Sequence, residues 1–222
     1  MQLEVLYRLG VCTRSCRFYH TVFLIHLNWY STGVIKAVIF DCFGVLTGDK
    51  WKEFVATLPE EQRETARNLM RQLDSGMVDP KVFYKQVFEL TGHAPARVED
   101  IINVEMHKNS PLLDYIHHLK KHYKTGLLSN ISTNWIRDTF LTRHEVALFD
   151  DILLSYEVGT VKPDPRIFEL AAGRIGEAPK DCVFVDDSIG NCQGAEAVGM
   201  QAILYQNFVQ MKEELEKILK RG

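Results

Sequence analysis

The chain has 222 residues, a formal net charge of −3, 46% hydrophobic residues and 25% charged residues. That balance is that of an ordinary globular protein and excludes a disordered, collagen-like or disulfide-framework chain, and the slightly acidic total leaves no basic field for nucleic acid. Single cores stop growing near roughly 250 to 300 residues, so one α/β core with one small appendage is expected. Residues 1–33 come first. They carry Arg8, Arg14 and Arg17 ahead of the apolar run Val22 to Leu27, superficially like a signal peptide. His26 and Asn28 interrupt that run, which falls short of the roughly 20 apolar residues a membrane span requires. The expectation is a loosely ordered or non-native extension, with no membrane association. The cysteines, at 12, 16, 42, 182 and 192, are odd in number and read as reduced thiols of a cytoplasmic protein. Cys12 and Cys16 lack the second pair that a zinc site needs.

From Val34 to Phe40 the chain is apolar and β-rich, as a parallel strand covered on both faces is, and it ends at Asp41. Thr125 to Leu128 repeats the pattern and ends in Ser129-Asn130. Cys182 to Val185 repeats it again and ends in Asp186-Asp187, and Gln201 to Tyr205 adds a fourth candidate. Helical stretches at Leu112 to His122, Asn134 to Leu141, Pro165 to Arg174 and Cys192 to Val198 alternate with these runs. Alternation predicts an α/β fold: a doubly wound, parallel, Rossmann-like sheet. From Asp49 to Ser110 the pattern turns helical, including Glu60 to Leu73 and Val82 to Leu90. This reads as an inserted small helical cap over 49–110, with 34–48 and 111–222 forming the core domain. Phe54, Leu58, Leu69, Phe83, Val87 and Phe88 are expected to hold the cap together. Gly48-Asp49 and Asn109-Ser110-Pro111 are the expected hinge and return. Phe208 to Lys220 is an amphipathic helix that packs on the sheet.

Polar residues collect at the carboxyl ends of the strands, where open parallel sheets bind their ligands. Asp41 precedes Cys42-Phe43-Gly44, and the glycine lets backbone amides turn toward an anion. Alone, Asp41 or Ser129-Asn130 would as readily be a helix cap, and Lys162 before Pro163-Asp164-Pro165 a solvated lysine at a helix start. Asp186-Asp187 is harder to assign to structure, because adjacent carboxylates repel each other unless a cation is present.

Taken in order, Asp41 in DCFGVL, Ser129 in LLSN, Lys162 in VKPDPRIF and Asp186-Asp187 in FVDDSIGN resemble the motifs of the haloacid dehalogenase-like hydrolases. The pattern is most similar to sugar-1-phosphatase members and to the N-terminal phosphatase domain of soluble epoxide hydrolases. The resemblance implies Asp41 as a nucleophile forming a covalent aspartyl intermediate. It implies Ser129, Asn130, Gly44 and Lys162 as the phosphate site, with Lys162 also neutralising Asp41. Mg2+ would be held by Asp41, the Phe43 backbone carbonyl, Asp187 and Asp186. The expected substrate is a small phosphorylated metabolite, such as a sugar phosphate, acted on by a monomer or homodimer.

Phe43 departs from the commonest phosphatase version, in which an aspartate two residues after the nucleophile protonates the leaving group. General acid–base help is worth about 10² to 10⁴ in rate. Three readings follow: a phosphatase favouring good leaving groups, a 2-haloacid dehalogenase, or a non-catalytic binding module on the same fold. Halide leaves without a proton, and Arg71 lies roughly where a dehalogenase cap arginine falls. Asp186-Asp187 argues against that metal-free chemistry. Trp51, Arg71, Tyr84, His93 and His107 are candidate specificity residues of the cap.

Overall fold

The structure, a computed structural model, describes residues 34–102 and 106–220, so the extension expected over 1–33, with Cys12 and Cys16, lies outside the described residues. Five strands form one sheet: β1 (Ala37–Phe40), β2 (Lys124–Ser129), β3 (Asp151–Leu154), β4 (Cys182–Asp186) and β5 (Gln201–Leu204), in the order β3-β2-β1-β4-β5. Every pairing is parallel, with Phe40 beside Leu127 on one side and Val185 on the other.

The strands are apolar throughout because both faces are covered. Val38 and Phe40 share one apolar cluster with Leu127, Val183 and Val185, closed by Leu112 and Ile116 of α5 (Ser110–Leu119) and by Met211 and Leu215 of α10 (Phe208–Leu219). Ala37 and Ile39 point the other way, into a cluster with Leu128, Phe184, Ile167 and Phe168 of α8 (Pro165–Arg174), and Ala195 of α9 (Ile189–Ala197). This is the doubly wound arrangement that alternating elements predict.

Three details differ from the sequence expectation. The edge strand β3 is short and opens on Asp151, so its apolar signal is only three residues long. Asn134 to Leu141 is a π-helical turn over Ile136–Phe140, in which Leu141 N–H donates to the Ile136 carbonyl. Helix α5 stops at Leu119, and Lys120 caps it.

Four helices lie between β1 and α5: α1 (Lys50–Thr57), α2 (Glu60–Asp74), α3 (Pro80–Thr91) and α4 (Pro95–Ile102). They share an apolar cluster of their own that includes Phe54, Leu58, Ala66, Leu69, Leu73, Phe83, Val87 and Val98. Phe88 does not join it and is 49% exposed. Phe83 and Val87, four residues apart, already fill the inner face of α3, and the next position rotates outward. The connections that enter and leave these helices run together: Thr47 Oγ1 donates to the His107 carbonyl at 3.0 Å, and Asn109 N–H to the Leu46 carbonyl at 2.8 Å. Asn109 Nδ2 also donates to the Val45 carbonyl at 2.9 Å and to the Tyr205 hydroxyl at 2.7 Å. Among the described residues no helix is long and apolar enough to cross a membrane.

Candidate active site

Strand β1 delivers Asp41 one step past Phe40, between β2 and β4, and Asp41 N–H still bonds the Val185 carbonyl at 2.9 Å. That position brings together residues far apart in sequence. Lys162 Nζ lies 2.6 Å from Asp41 Oδ1 and 2.7 Å from Asp186 Oδ2, and it donates to the Leu128 carbonyl at 3.1 Å. The lysine is 2% exposed and sits over the Phe184 ring. Burial opposes its charged form, but the carboxylates of Asp186 and Asp41 outweigh burial and hold its pKa above the ordinary lysine value.

Asn130 fixes that lysine. Its Nδ2 donates to the Lys162 carbonyl at 3.1 Å, and its Oδ1 accepts from the Lys162 N–H at 2.9 Å. The Asn130 side-chain amide is therefore engaged in positioning Lys162 in this structure. The Gly44 N–H is engaged likewise, donating to the Thr47 carbonyl at 2.7 Å. What the site requires of Gly44 is space, since a Cβ there would lie 2.4 Å from the carboxyl carbon of Asp187, and its φ of 87° suits glycine. The bridge between Phe43 and Thr47 uses the Cys42 carbonyl and the Gly44 N–H, leaving the Phe43 carbonyl out of it.

Oxygens of Asp41, Asp186 and Asp187 lie within 4.8 Å of one another. Their surroundings differ. Asp186 is fully buried; its Oδ1 accepts from Ser188 N–H at 2.8 Å and Asn191 Nδ2 at 3.0 Å, and its Oδ2 from Lys162 and Asn191. Asp187 meets only the half-exposed Lys52 ammonium of α1 among the described residues. Asp41 uses Oδ1 for Lys162 and for the Cys42 N–H, the latter at 2.7 Å. Burial and the negative charge of Asp186 push the Asp41 pKa well above the usual carboxylate range, against Lys162 and the Cys42 N–H. With Asp41 ionised, as a nucleophile must be, three carboxylates face Lys162 and Lys52 and the cluster is one positive charge short, which is the same repulsion from Asp186 that, together with burial, raises the Asp41 pKa in the absence of a cation. An all-oxygen donor set with that deficit fits a hard divalent cation such as magnesium. Asp41, Asp187 and the Phe43 carbonyl are the donors left available to it, and Asp186 acts through the groups it anchors.

Ser129, at the end of β2, is fully buried and its Oγ has no hydrogen-bond partner. Buried hydroxyls are nearly always paired, so this one, at the same end of the sheet as Asp41, is available to a ligand oxygen. The Phe43 side chain offers no acid. It stacks on Trp135, with centroids 6.1 Å apart, and Trp135 stacks on Phe140 at 5.1 Å. Cys42 is buried in the same loop, its thiol pushed well up by burial and by Asp41, so it is no nucleophile.

Among the described residues, the cap candidates show no hydrogen bond or ion pair with this cluster. Arg71 is paired with Glu64 at 3.1 Å on the surface, Trp51 packs among Phe54 and Phe83, Tyr84 lies against Phe83, and His93 lies edge-on to Phe54. His107 is exposed and contributes its carbonyl to the linker. Two cap residues were missed: Lys52 on Asp187, and Asp74, whose carbonyl accepts from Ser155 Oγ at 2.7 Å. Both read in the sequence as ordinary charged helix residues.

A parallel α/β sheet with a carboxylate–lysine cluster at its strand ends defines a hydrolase class, and residues 35–199 match the haloacid dehalogenase-like hydrolase family model. The chain belongs to that family. It is 26% identical over 208 residues to D-ribitol-5-phosphate phosphatase of Bacteroides thetaiotaomicron, covering 84% of this chain and 99% of that one. It is also 29% identical over 183 residues to bifunctional epoxide hydrolase 2 of Sus scrofa, covering 78% of this chain but 30% of that longer enzyme. Among solved structures, a haloacid dehalogenase family enzyme of Bacteroides thetaiotaomicron in complex with magnesium and inorganic phosphate superposes with a TM-score of 0.60 at 26% identity, covering 78% of this chain and 94% of that one.

Proposed function

We propose that the protein is a magnesium-dependent phosphatase that hydrolyses a small phosphate monoester, of the sugar or polyol phosphate kind, through an aspartyl-phosphate at Asp41. The observation that carries this reading is the buried Lys162 ammonium bridging Asp41 and Asp186, with the unpartnered Ser129 hydroxyl at the same end of the sheet. The phosphatase and the magnesium–phosphate complex among its relatives support it.

In this mechanism Lys162 orients Asp41 and neutralises charge on both the carboxylate and the incoming phosphoryl group. The Ser129 hydroxyl donates to a nonbridging oxygen. Asp41 displaces the leaving alcohol, and water then hydrolyses the acyl phosphate, dividing one hard displacement into two easier ones. Asp41, Asp187 and the Phe43 carbonyl would hold magnesium, which when bound would supply the positive charge that lets a carboxylate approach a phosphoryl dianion. The buried cluster gives a halide no such purpose, and Arg71 is occupied at the surface.

The test is p-nitrophenyl phosphate hydrolysis with magnesium and with EDTA, for wild type and Asp41→Asn. Magnesium-dependent turnover that Asp41→Asn abolishes is the expected result. No turnover under any condition refutes the reading and directs the next assay to 2-chloropropionate without metal.

A further inference from the structure

The loop after β1 has an aromatic side chain where an acid would serve, yet an alkoxide leaving group needs a proton. Asp74, the last residue of α2, is 8% exposed although it is a carboxylic acid. Its backbone is pinned over the ends of β2 and β3. Ser155 Oγ donates to the Asp74 carbonyl at 2.7 Å and accepts from the Ile131 N–H at 2.9 Å. Ile131 follows directly on Asn130, the residue that holds Lys162, and lies two positions after Ser129. Among the described residues no donor and no cation meets the Asp74 carboxyl, and the charges that act on it are those of Asp49 and Lys162. Asp49, the other acid at this end of the helices, is committed to capping α1 through the Lys52 N–H at 2.8 Å.

We infer that Asp74 is the general acid that protonates the leaving group, supplied from the helical insertion in place of a side chain at Phe43; this deepens the phosphatase reading and rests on it. Burial, with the negative charge of Asp49 and against that of Lys162, lifts the Asp74 pKa from 3.8 to about 8. A buried carboxyl without a partner is thus protonated at neutral pH and close to the range in which a donor works best. As the Asp41–phosphorus bond forms and the bond from phosphorus to the alkyl oxygen breaks, that oxygen takes the Asp74 proton. Asp74 is left as a carboxylate. Water then attacks the acyl phosphate, the bond between phosphorus and the Asp41 oxygen breaks, inorganic phosphate leaves with the protons of that water, and Asp74 regains a proton from solvent.

The experiment compares wild type, Asp74→Asn and Asp74→Glu on p-nitrophenyl phosphate, whose leaving group needs no proton, and on the best alkyl substrate from a panel of sugar and polyol phosphates. Asp74→Asn is expected to lower kcat on the alkyl phosphate by about 10² to 10⁴-fold, with less than about a tenfold change on p-nitrophenyl phosphate. Partial recovery of the alkyl rate is expected with Asp74→Glu. A far-ultraviolet circular dichroism spectrum matching that of wild type shows that the variant is folded. An equal loss on both substrates, no loss on either, or a wild type that cleaves the aryl ester and no alkyl phosphate overturns the assignment while leaving the phosphatase reading intact. A wild type without magnesium-dependent turnover of any phosphate removes both.

Discussion

Asp74→Asn also has a consequence for stability that needs no substrate. In the folded chain burial lifts the Asp74 pKa from its ordinary 3.8 to about 8. The folded state then holds a proton that the unfolded chain releases above about pH 4, so stability is greatest below that pH and falls as pH rises toward 8, becoming flat beyond. At about 1.4 kcal/mol per pH unit, the loss reaches roughly 4 kcal/mol at pH 7. Asparagine cannot ionise and has nearly the shape of the protonated acid. The difference in unfolding free energy between Asp74→Asn and wild type should therefore grow by roughly 4 kcal/mol between pH 4 and pH 7. For a chain of this size that is about 10 °C in Tm. Urea unfolding of both proteins at about pH 4, 6, 7 and 8.5 reads the slope, and any constant offset from the substitution cancels. A difference that stays level across this range would refute the claim that Asp74 is buried and neutral.

Three further substitutions test the cluster. Gly44→Ala places a Cβ 2.4 Å from the Asp187 carboxyl carbon at a φ of 87°, so magnesium activation should weaken by about 10 to 100-fold, read as a shift in the magnesium concentration that gives half-maximal rate. Ser129→Ala removes an unpartnered buried hydroxyl, so stability in urea should rise by up to about 1 to 3 kcal/mol while p-nitrophenyl phosphate turnover falls by about 10²-fold. Lys162→Met leaves Asp41 and Asp186 buried without their ammonium, so unfolding free energy at neutral pH should fall by about 3 to 5 kcal/mol, measured by urea denaturation.

The sheet was legible because both of its faces are covered, which makes β1, β2 and β4 continuous apolar runs that end in polar residues. β3 was not, since Asp151 and three apolar residues at a sheet edge carry too little pattern. Asp41, Ser129, Lys162 and the Asp186-Asp187 pair were legible through their order along the chain, and the structure gathers Asp41, Lys162, Asp186 and Asp187 into one contact cluster. The contacts that Asn130 and Gly44 make were not legible. Whether an amide faces a ligand or a neighbouring backbone depends on the Lys162 loop, more than 30 residues away. Asp74 and Lys52 left no signal, because a charged residue on an amphipathic helix looks the same whether it faces water or a carboxylate.

Two lysines serve the cluster on unequal terms, and the difference bears on how a cation would enter it. The Lys162 side chain is 1% exposed, tied to two carboxylates and a carbonyl, and held at its backbone by Asn130. Removing it would strand buried charge. The Lys52 side chain is 59% exposed and bonds Asp187, which is itself 19% exposed, so it can return to water at little desolvation cost. A divalent ion at Asp187 would therefore have one competitor that it could displace and one ammonium that it could not. The displaceable one belongs to α1, in the same helical insertion that carries Asp74. If the proposed phosphatase reading holds, the insertion is electrically part of the reaction centre: its first helix would release Lys52 to a bound cation, and its second would hold the proton for the leaving group.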